Sequence, residues 1–289
     1  MILLDGKKTS QDIKDEIKVK VSKRLANGLK KPHLAAVLVG DNGASLTYVN
    51  AKVKACDYVG FESSLIKLPA DISEVDLLDK IAELNDSKSI DGYIVQLPLP
   101  KHIDELKVTQ AIHPSKDVDG FHPENIGKMV LDLPAFLPAT PYGIVQLLDR
   151  YNIETSGKHC VVVGRSHIVG SPMSILMSRN NKVGNSTVTL THSRTQNLSE
   201  ITRSADILIV ALGKTEFITG DMVKDGVVVV DVGITRVDDQ SRKSGFRLLG
   251  DVKFDEVSEK ASYITPVPGG VGPMTIASLL MNTFLAVEA

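Results

Sequence analysis

The stretch from Cys160 to Met177 constrains this chain more than any other. It opens on an unbroken apolar run, Cys160-Val161-Val162-Val163, and breaks at Gly164. Helical character returns over Met173 to Met177, behind Gly170 and Pro172. An apolar run without alternation reads as a strand buried on both faces, as in parallel sheets. Glycine supplies the tight turn, and proline suits the first turn of a helix, where its missing N–H would have no partner. Unpaired N–H groups and the positive end of the helix dipole then converge on one spot, which suits an anion. The spacing is not G-x-G-x-x-G, so the common dinucleotide fingerprint is absent. Arg165 follows the turn glycine instead, and a guanidinium there can fork onto a phosphate. An ordinary strand–helix turn with a surface arginine is the competing reading of the loop taken alone.

The strand that follows, Thr187-Val188-Thr189-Leu190, narrows the ligand. An NAD-binding fold usually closes this strand with an acid that holds the ribose 2′-OH. Here Thr191-His192-Ser193-Arg194-Thr195 offers hydroxyls and a cation and no carboxylate. That composition suits a 2′-phosphate, so NADP is expected rather than NAD.

Strand and helix signals alternate along the whole chain. Ile13, Ile17, Val21 and Leu25 recur at helical spacing, and Leu34 to Val39 reads as a buried strand ended by Gly40-Asp41-Asn42-Gly43. A helix from about Ser45 to Val59 carries the apolar stripe Val49, Val53, Cys56 and Val59, with Ser45, Tyr48 and Lys52 along another side. A short strand at Leu65-Ile66, a helix over Val75 to Leu84 and the strand Tyr93 to Gln96 follow. The strand ends at Leu97-Pro98-Leu99-Pro100, because two prolines cannot continue a central strand. A further helix, Asp104 to Ile112, precedes Lys116-Asp117-Val118-Asp119-Gly120-Phe121. In Leu137-Pro138-Ala139-Thr140-Pro141, Thr140 can cap the next helix with Pro141 at its first position. Beyond it come strands at 160–163, 187–190, 206–211 and 227–232, with helices at 172–180 and 198–203. Gly233-Ile234 leaves the last of these strands, Gln240 to Gly245 reads as a loop or hairpin tip, and an apolar helix from Met274 to Val287 closes the chain.

This order predicts an α/β protein of parallel sheets with right-handed crossovers. Its 289 residues allow two domains. The expected division is an N-terminal α/β substrate domain over 1–138, completed by the C-terminal helix 273–289, and a Rossmann-like NADP-binding domain over 139–272, with a cleft between them. Thirty-three Lys+Arg against 35 Asp+Glu leave a net charge of −2, which argues against nucleic-acid and polybasic membrane-surface partners. Two cysteines, Cys56 and Cys160, support neither a disulfide framework nor a multi-cysteine zinc site. The N-terminus lacks the basic and apolar regions of a signal peptide, and no stretch reaches membrane-span length, so a cytoplasmic location is expected.

Several residues could carry chemistry. Tyr48 and Lys52 lie one helical turn apart, so a phenol and an ammonium can converge, although such a pair also suits a solvated face. Gln96 stands at the carboxyl end of a buried strand, where active sites gather in such sheets. Asp117 and Asp119 alternate before Gly120 and could hold a polar ring, a metal or only water. Metal is the weakest of these, because no His or Cys cluster has ligand spacing. Thr265-Pro266-Val267-Pro268-Gly269-Gly270-Val271-Gly272-Pro273 holds six glycines and prolines in nine residues, as backbone close to a ligand or a hinge often does.

Taken together and in order, Tyr48-Val49-Asn50-Ala51-Lys52, Val95-Gln96-Leu97-Pro98-Leu99-Pro100, Lys116 to Phe121, Gly164-Arg165-Ser166 with Val169 to Pro172, and Pro266 to Thr275 resemble the bifunctional methylenetetrahydrofolate dehydrogenase/methenyltetrahydrofolate cyclohydrolase family. The resemblance covers essentially the whole length. It implies a homodimeric enzyme of one-carbon metabolism that oxidises methylenetetrahydrofolate with NADP+ and hydrolyses the methenyl cation to 10-formyltetrahydrofolate. By the same resemblance Lys52 matches the catalytic lysine, Tyr48 the tyrosine that stacks on the substrate ring, Gln96 the amide that positions the lysine, and Asp119 the acid that holds the pterin. Gly164, Arg165 and Ser166 match the cofactor loop, Arg165 and Ser193 the 2′-phosphate contacts, and Ile234 a backbone contact to the cofactor. One departure is visible: the family often has Cys where this chain has Ala139, which excludes a role for that thiol. Two alternatives share the architecture: an NADP-dependent dehydrogenase of the shikimate type and a non-catalytic nucleotide sensor.

Overall fold

The computed structural model describes the chain except Asn42, Lys243, Ser244 and Ala289, together with the side chain of Ala44. The part of the turn expected at Asn42, and of the loop expected at 243–244, lies outside the described residues. In chain order the elements are β1 (Ile2–Leu3), α1 (Gly6–Ala26), β2 (His33–Val39), α2 (Gly43–Val59), β3 (Glu62–Leu68), α3 (Glu74–Asp86), β4 (Gly92–Val95), α4 (Glu105–Ala111), α5 (Pro123–Val130) and α6 (Ala139–Arg150). They continue as β5 (His159–Val163), α7 (Gly170–Ser178), β6 (Thr187–Thr191), α8 (Leu198–Arg203), β7 (Ile207–Val210), β8 (Val228–Asp231), β9 (Thr235–Asp238), β10 (Phe246–Leu249), α9 (Phe254–Ser258), β11 (Tyr263–Ile264) and α10 (Val271–Glu288). Two compact units result. One comprises Gln11–Ala139 with Ile276–Ala289, and the other Met1–Ser10 with Thr140–Thr275.

The first unit is built on a parallel sheet in the order β3-β2-β4. β2 is buried along its whole length, which accounts for its unbroken apolar sequence. Tyr93, Val95, Ala35 and Val37 pack with Leu77, Ile81 and Leu84 of α3 and Val108 of α4. Beyond β4, residues 116–118 run beside it. Tyr93 pairs in parallel with Asp117, its N–H donating to Lys116 O at 3.0 Å. This short addition carries the Asp117–Asp119 segment to the carboxyl end of the sheet. Near the chain's end, the Asn282 amide of α10 donates to Val118 O (2.8 Å) and Leu137 O (2.9 Å), gripping the same segment.

The second unit carries the sheet β1-β11-β8-β7-β5-β6, parallel throughout. Chain order reverses at β5, which has β6 on one side and β7 on the other. Ligands bind at such a switch point in open α/β sheets. β9 and β10 form a separate antiparallel hairpin with the expected loop at its tip.

Several details depart from the sequence reading. The first ten residues belong with the six-stranded unit rather than with 11–139: β1 pairs with β11, and Lys7 N donates to Gly269 O at 2.9 Å. Thr140 lies inside α6 instead of capping it, and its hydroxyl pairs with that of Thr275 at 3.0 Å. Leu25 is exposed, because the covered stripe of α1 through Ile13 and Ile17 ends at Val21. The helix α5 went unread, although Pro123 at its first turn, capped by His122 Nδ1 accepting from Glu124 N, marks a start.

β2 and β5, the strands at which the two sheets reverse chain order, begin in the same way. His33 N donates to Asp91 Oδ2 (2.9 Å), while the ring meets Ser89 O (3.1 Å) and Ser64 Oγ (2.8 Å). His159 N donates to Asp206 Oδ2 (2.8 Å), and its ring meets Ser204 O (3.3 Å) and Thr189 Oγ1 (2.9 Å). The register agrees too: Ala35 faces Ser64 as Val161 faces Thr189. Each imidazole joins the strand on one side to the segment that leads into the strand on the other, and so ties down the amino end of the sheet. His33 is 5% exposed and His159 less covered. His33→Ala should therefore lower stability by about 1–3 kcal/mol, since it removes two hydrogen bonds made by a buried ring. His159→Ala should cost less. Urea midpoints of the two variants check this, and equal losses would contradict the burial argument.

Candidate active site

The inward face of α2 is not wholly apolar. Val49, Lys52, Cys56 and Val59 are all buried, and Val53, expected on the stripe, is only half-buried. Lys52 therefore replaces an apolar residue on the packed face and does not share Tyr48's environment. Tyr48, one turn earlier, is 44% exposed, whereas Lys52 is 8% exposed. The Lys52 ammonium donates to Gln96 Oε1 at 3.1 Å. Gln96 extends the pairing of β4 with β2 through its N–H to Val37 O (2.9 Å), and its Nε2 donates to Leu97 O (2.7 Å). Both ends of the amide are thus engaged, with the carbonyl oxygen turned to the lysine.

Burial pushes the Lys52 pKa down, because the charged form is desolvated, and the Asp119 carboxylate offsets part of that. Burial in turn raises Asp119, against the pull of Lys52. Nearby Cys56 is a buried thiol pushed up to about 12, too high to supply a thiolate at neutral pH. Asp117, read from sequence as a possible partner of Asp119, has a different task. It is 1% exposed; its Oδ1 accepts from Gly120 N (3.1 Å), and its Oδ2 from His122 N (2.7 Å) and Asn125 Nδ2 (3.0 Å). Asp117 shapes the turn, and Asp119 is left to face Lys52. Gly120 sits there at φ +75°, where an added Cβ would lie 2.5 Å from Leu137 C.

The second group of residues lies at the carboxyl edge of the six-stranded sheet. Gly164, at φ +117°, packs so closely on the β7 turn that a Cβ would stand 2.2 Å from Ala211 O. A Cβ on Gly170 would stand 1.9 Å from Gly164 O. Both glycines are thus required by the close approach of backbones. Ser166 Oγ accepts from Val169 N (3.1 Å) and Gly170 N (3.4 Å), so part of the N–H cluster read from sequence as an anion site is satisfied within the loop. Arg165, Ser166, Ser193 and Arg194 are exposed, and Ile234 is 45% exposed. The turn after β6 is fixed by His192 N donating to Thr195 Oγ1 (2.9 Å). A bare glycine cradle with exposed hydroxyls and cations fits a dinucleotide bearing a 2′-phosphate.

Beneath this edge lie two buried acids. Asp231, at the end of β8, accepts from Gly233 N (2.9 Å) and Asp251 N (3.0 Å) on Oδ1 and from Val252 N (2.9 Å) on Oδ2. Burial, aided by neighbouring Asp251, pushes it up to about 6 against the pull of these N–H groups. Asp251 Oδ2 accepts from Leu212 N (2.6 Å) and Gly213 N (2.8 Å).

Two families of known domains match the chain: the tetrahydrofolate dehydrogenase/cyclohydrolase catalytic domain over residues 4–119, and the NAD(P)-binding domain of the same enzymes over 138–289. The chain belongs to the tetrahydrofolate dehydrogenase/cyclohydrolase family. It is 73% identical over 286 residues to the bifunctional protein FolD of Cytophaga hutchinsonii, covering 99% of each chain. The crystal structure of the bifunctional FolD enzyme of Campylobacter jejuni is similar at 48% identity, with a TM-score of 0.93 and coverage of 100% of this chain and 99% of that one. The Trypanosoma brucei FolD, complexed with NADP cofactor and inhibitor, is 35% identical, with a TM-score of 0.94 and coverage of 100% and 97%. As a member of this family, the chain is an NADP-dependent methylenetetrahydrofolate dehydrogenase and cyclohydrolase acting on folate one-carbon substrates. The shikimate-type and sensor alternatives are not favoured, since the whole-length matches are to bifunctional folate enzymes.

Of the residues singled out from sequence, the structure brings Lys52, Gln96 and Asp119 together, with Tyr48 on the same helix as Lys52. Sequence reasoning missed Asn125 and Asn282, whose amides hold the Asp119 segment; single asparagines carry no signal at sequence distances of this kind. It also missed the Asp231–Asp251 pair. A strand ending in aspartate two residues before glycine was the visible hint.

Asp117 generates a pH prediction. Burial raises its folded pKa to about 6 from an ordinary carboxylate value, despite the three donors. Its contribution to stability is therefore fully present below about pH 4 and is lost as pH rises through about 6. The Asp117→Asn variant lacks this slope. Relative to the parent chain it should gain on the order of 2–3 kcal/mol between pH 4 and pH 7. Urea denaturation at the two pH values tests this; a difference that does not change with pH would sink it.

Proposed function

We propose that Lys52 is the catalytic lysine of the cyclohydrolase step, with Gln96 and Asp119 setting its position and protonation, and Tyr48 stacking on the substrate ring. The observation that carries this is Lys52 itself: an amine on the buried face of a helix, 3.1 Å from a strand-end amide, with its pKa depressed. A buried lysine beside a cationic methenyl substrate is pushed further toward the neutral amine. The neutral amine takes a proton from water as the oxygen attacks the methenyl carbon; it returns that proton to N5 as the C–N5 bond breaks, and the remaining hydroxyl proton leaves to solvent as the formyl carbonyl of the 10-formyl product forms. Asp119 can accept paired hydrogen bonds from the amino-pyrimidine edge, fixing the pterin against Lys52. Gln96 prevents the lysine from swinging away, which preserves the attack geometry.

In the oxidation, NADP+ supplies the hydride acceptor. Gly164, Arg165, Ser166, Ser193 and Ile234 would hold it. Arg165 and Ser193 take the 2′-phosphate, the bare glycines admit the pyrophosphate, and Ile234 offers its backbone. The exposed cations and hydroxyls after β5 and β6 support this assignment. The enzyme works as a cytoplasmic homodimer and engages neither nucleic acid nor membrane. The family resemblance supports the dimer, and the near-neutral charge supports the rest. Contrary to the sequence expectation that no stretch reaches membrane-span length, one described helix, α10, is long and apolar enough to cross a membrane, and it is half buried in the fold. The two-domain division at 138/139, completed by helix 273–289, is proposed as the functional one. In it the catalytic residues come from the first segment and the cofactor residues from the second.

Lys52→Met should fold normally and lower hydrolysis of methenyltetrahydrofolate by about 10²–10⁴-fold, the usual worth of a positioned general base. Unchanged hydrolysis in this variant removes Lys52 from the mechanism. Arg165→Ala should weaken NADP+ far more than NAD+. One charge-assisted phosphate contact contributes about 1.5–3 kcal/mol, and titration with both cofactors measures the difference. Equal losses for the two would refute the 2′-phosphate assignment.

A further inference from the structure

At the carboxyl edge of the six-stranded sheet, the turns after β5, β7 and β8 depend on one another and on two buried acids. The β5 turn rests on the β7 turn, since Gly164 is in backbone contact with Ala211 O. The β7 turn is held from below: Leu212 N and Gly213 N both donate to Asp251 Oδ2, at 2.6 and 2.8 Å. The β8 turn is held by Asp231, which accepts from Gly233 N on the same oxygen that receives Asp251 N. The two carboxylates are 4% and 0% exposed.

The glycines of this region fit the acids. A Cβ on Gly233 would lie 2.4 Å from Asp251 Oδ1, and one on Gly250 would lie 1.9 Å from Asp231 Oδ2. Asp251 Oδ1 is buried and has no hydrogen-bond partner of its own. A buried carboxylate oxygen without a donor is costly, so its place against Gly233 needs a return elsewhere. That return is the orientation of the other oxygen, which fixes two successive N–H groups of the β7 turn. Through Gly233 the same side chain also sets where Ile234 begins.

We propose that Asp251 is a positioning residue for dinucleotide binding: one carboxylate oxygen fixes the β7 turn, the other is seated against Gly233, and together they hold the cofactor edge in its binding shape. Asp251 acts through backbone and touches no reacting atom. The proposal rests on the reading of this edge as the NADP site, and the two can be tested separately.

The enzyme supplies its own control, because methenyltetrahydrofolate hydrolysis consumes no dinucleotide. In the full-length enzyme, Asp251→Ala should raise the KM and Kd for NADP+ tenfold or more and leave hydrolysis within twofold of the parent. Asp251→Asn keeps a carbonyl oxygen that accepts both N–H groups, so it should stay within about threefold of the parent for NADP+. An unchanged NADP+ affinity in Asp251→Ala overturns the proposal. So does a parallel loss of hydrolysis, which would mean general destabilisation. If Asp251→Ala does not fold, Gly233→Ala takes its place: its Cβ displaces the Asp251 carboxylate from above, and unchanged NADP+ affinity there also overturns the proposal. Arg165→Ala is measured alongside. If it weakens NADP+ and neither Asp251→Ala nor Gly233→Ala does, the Asp251 proposal alone fails. If none of the three does, the reading of the edge as the NADP site fails with it.

Discussion

A parallel strand buried on both faces can offer a functional group only where it ends. Along β2, β5, β7 and β8 almost every side chain is apolar and covered, so chemistry is excluded from the strands themselves. Both sheets also reverse their chain order at one strand, β2 in the first and β5 in the second, which opens a crevice at the carboxyl edge. Gln96 lies at that edge in one sheet, and Gly164, Asp231 and the β7 turn lie at it in the other. The rest of the structure can be understood as the means of holding polar groups at these two edges.

Holding them requires buried charge, which is unfavourable unless partnered. The partners are of two kinds. Lys52 and Asp119 oppose each other's desolvation, and each keeps the other nearer its ionised form than burial alone would allow. Asp117, Asp231 and Asp251 are instead wrapped in backbone N–H groups. These fix turns but do not fully offset burial at Asp117 and Asp231, where the pKa stands at about 6. The first kind of pairing leaves a proton available for chemistry. The second supplies rigid geometry.

The likeness of the two strand starts shows how much local architecture a sequence can conceal. His33 with Asp91 and Ser64, and His159 with Asp206 and Thr189, make the same bonds in the same register. No internal repeat is visible in the sequence, because the shared pieces are single residues separated by 47 positions in one case and 58 in the other. The surrounding apolar positions are free to vary so long as they stay apolar.

The sequence by itself determined the α/β class, most strand and helix positions, the glycine turn at Gly164 and the absence of an acid after β6. Each of these follows from local periodicity or from backbone constraints within a few residues. It also identified Lys52, Gln96 and Asp119 as candidates, through motifs that lie far apart in the chain. Only the tertiary structure decided that Lys52 shares the buried stripe of α2 and leaves Tyr48 exposed, because helical spacing alone does not say which face is covered. Only it separated Asp117 from Asp119, joined β1 to β11, and set Asp251 beneath the β7 turn, 38 and 39 residues away. Those outcomes depend on which backbone N–H groups and strand edges meet across long sequence separations.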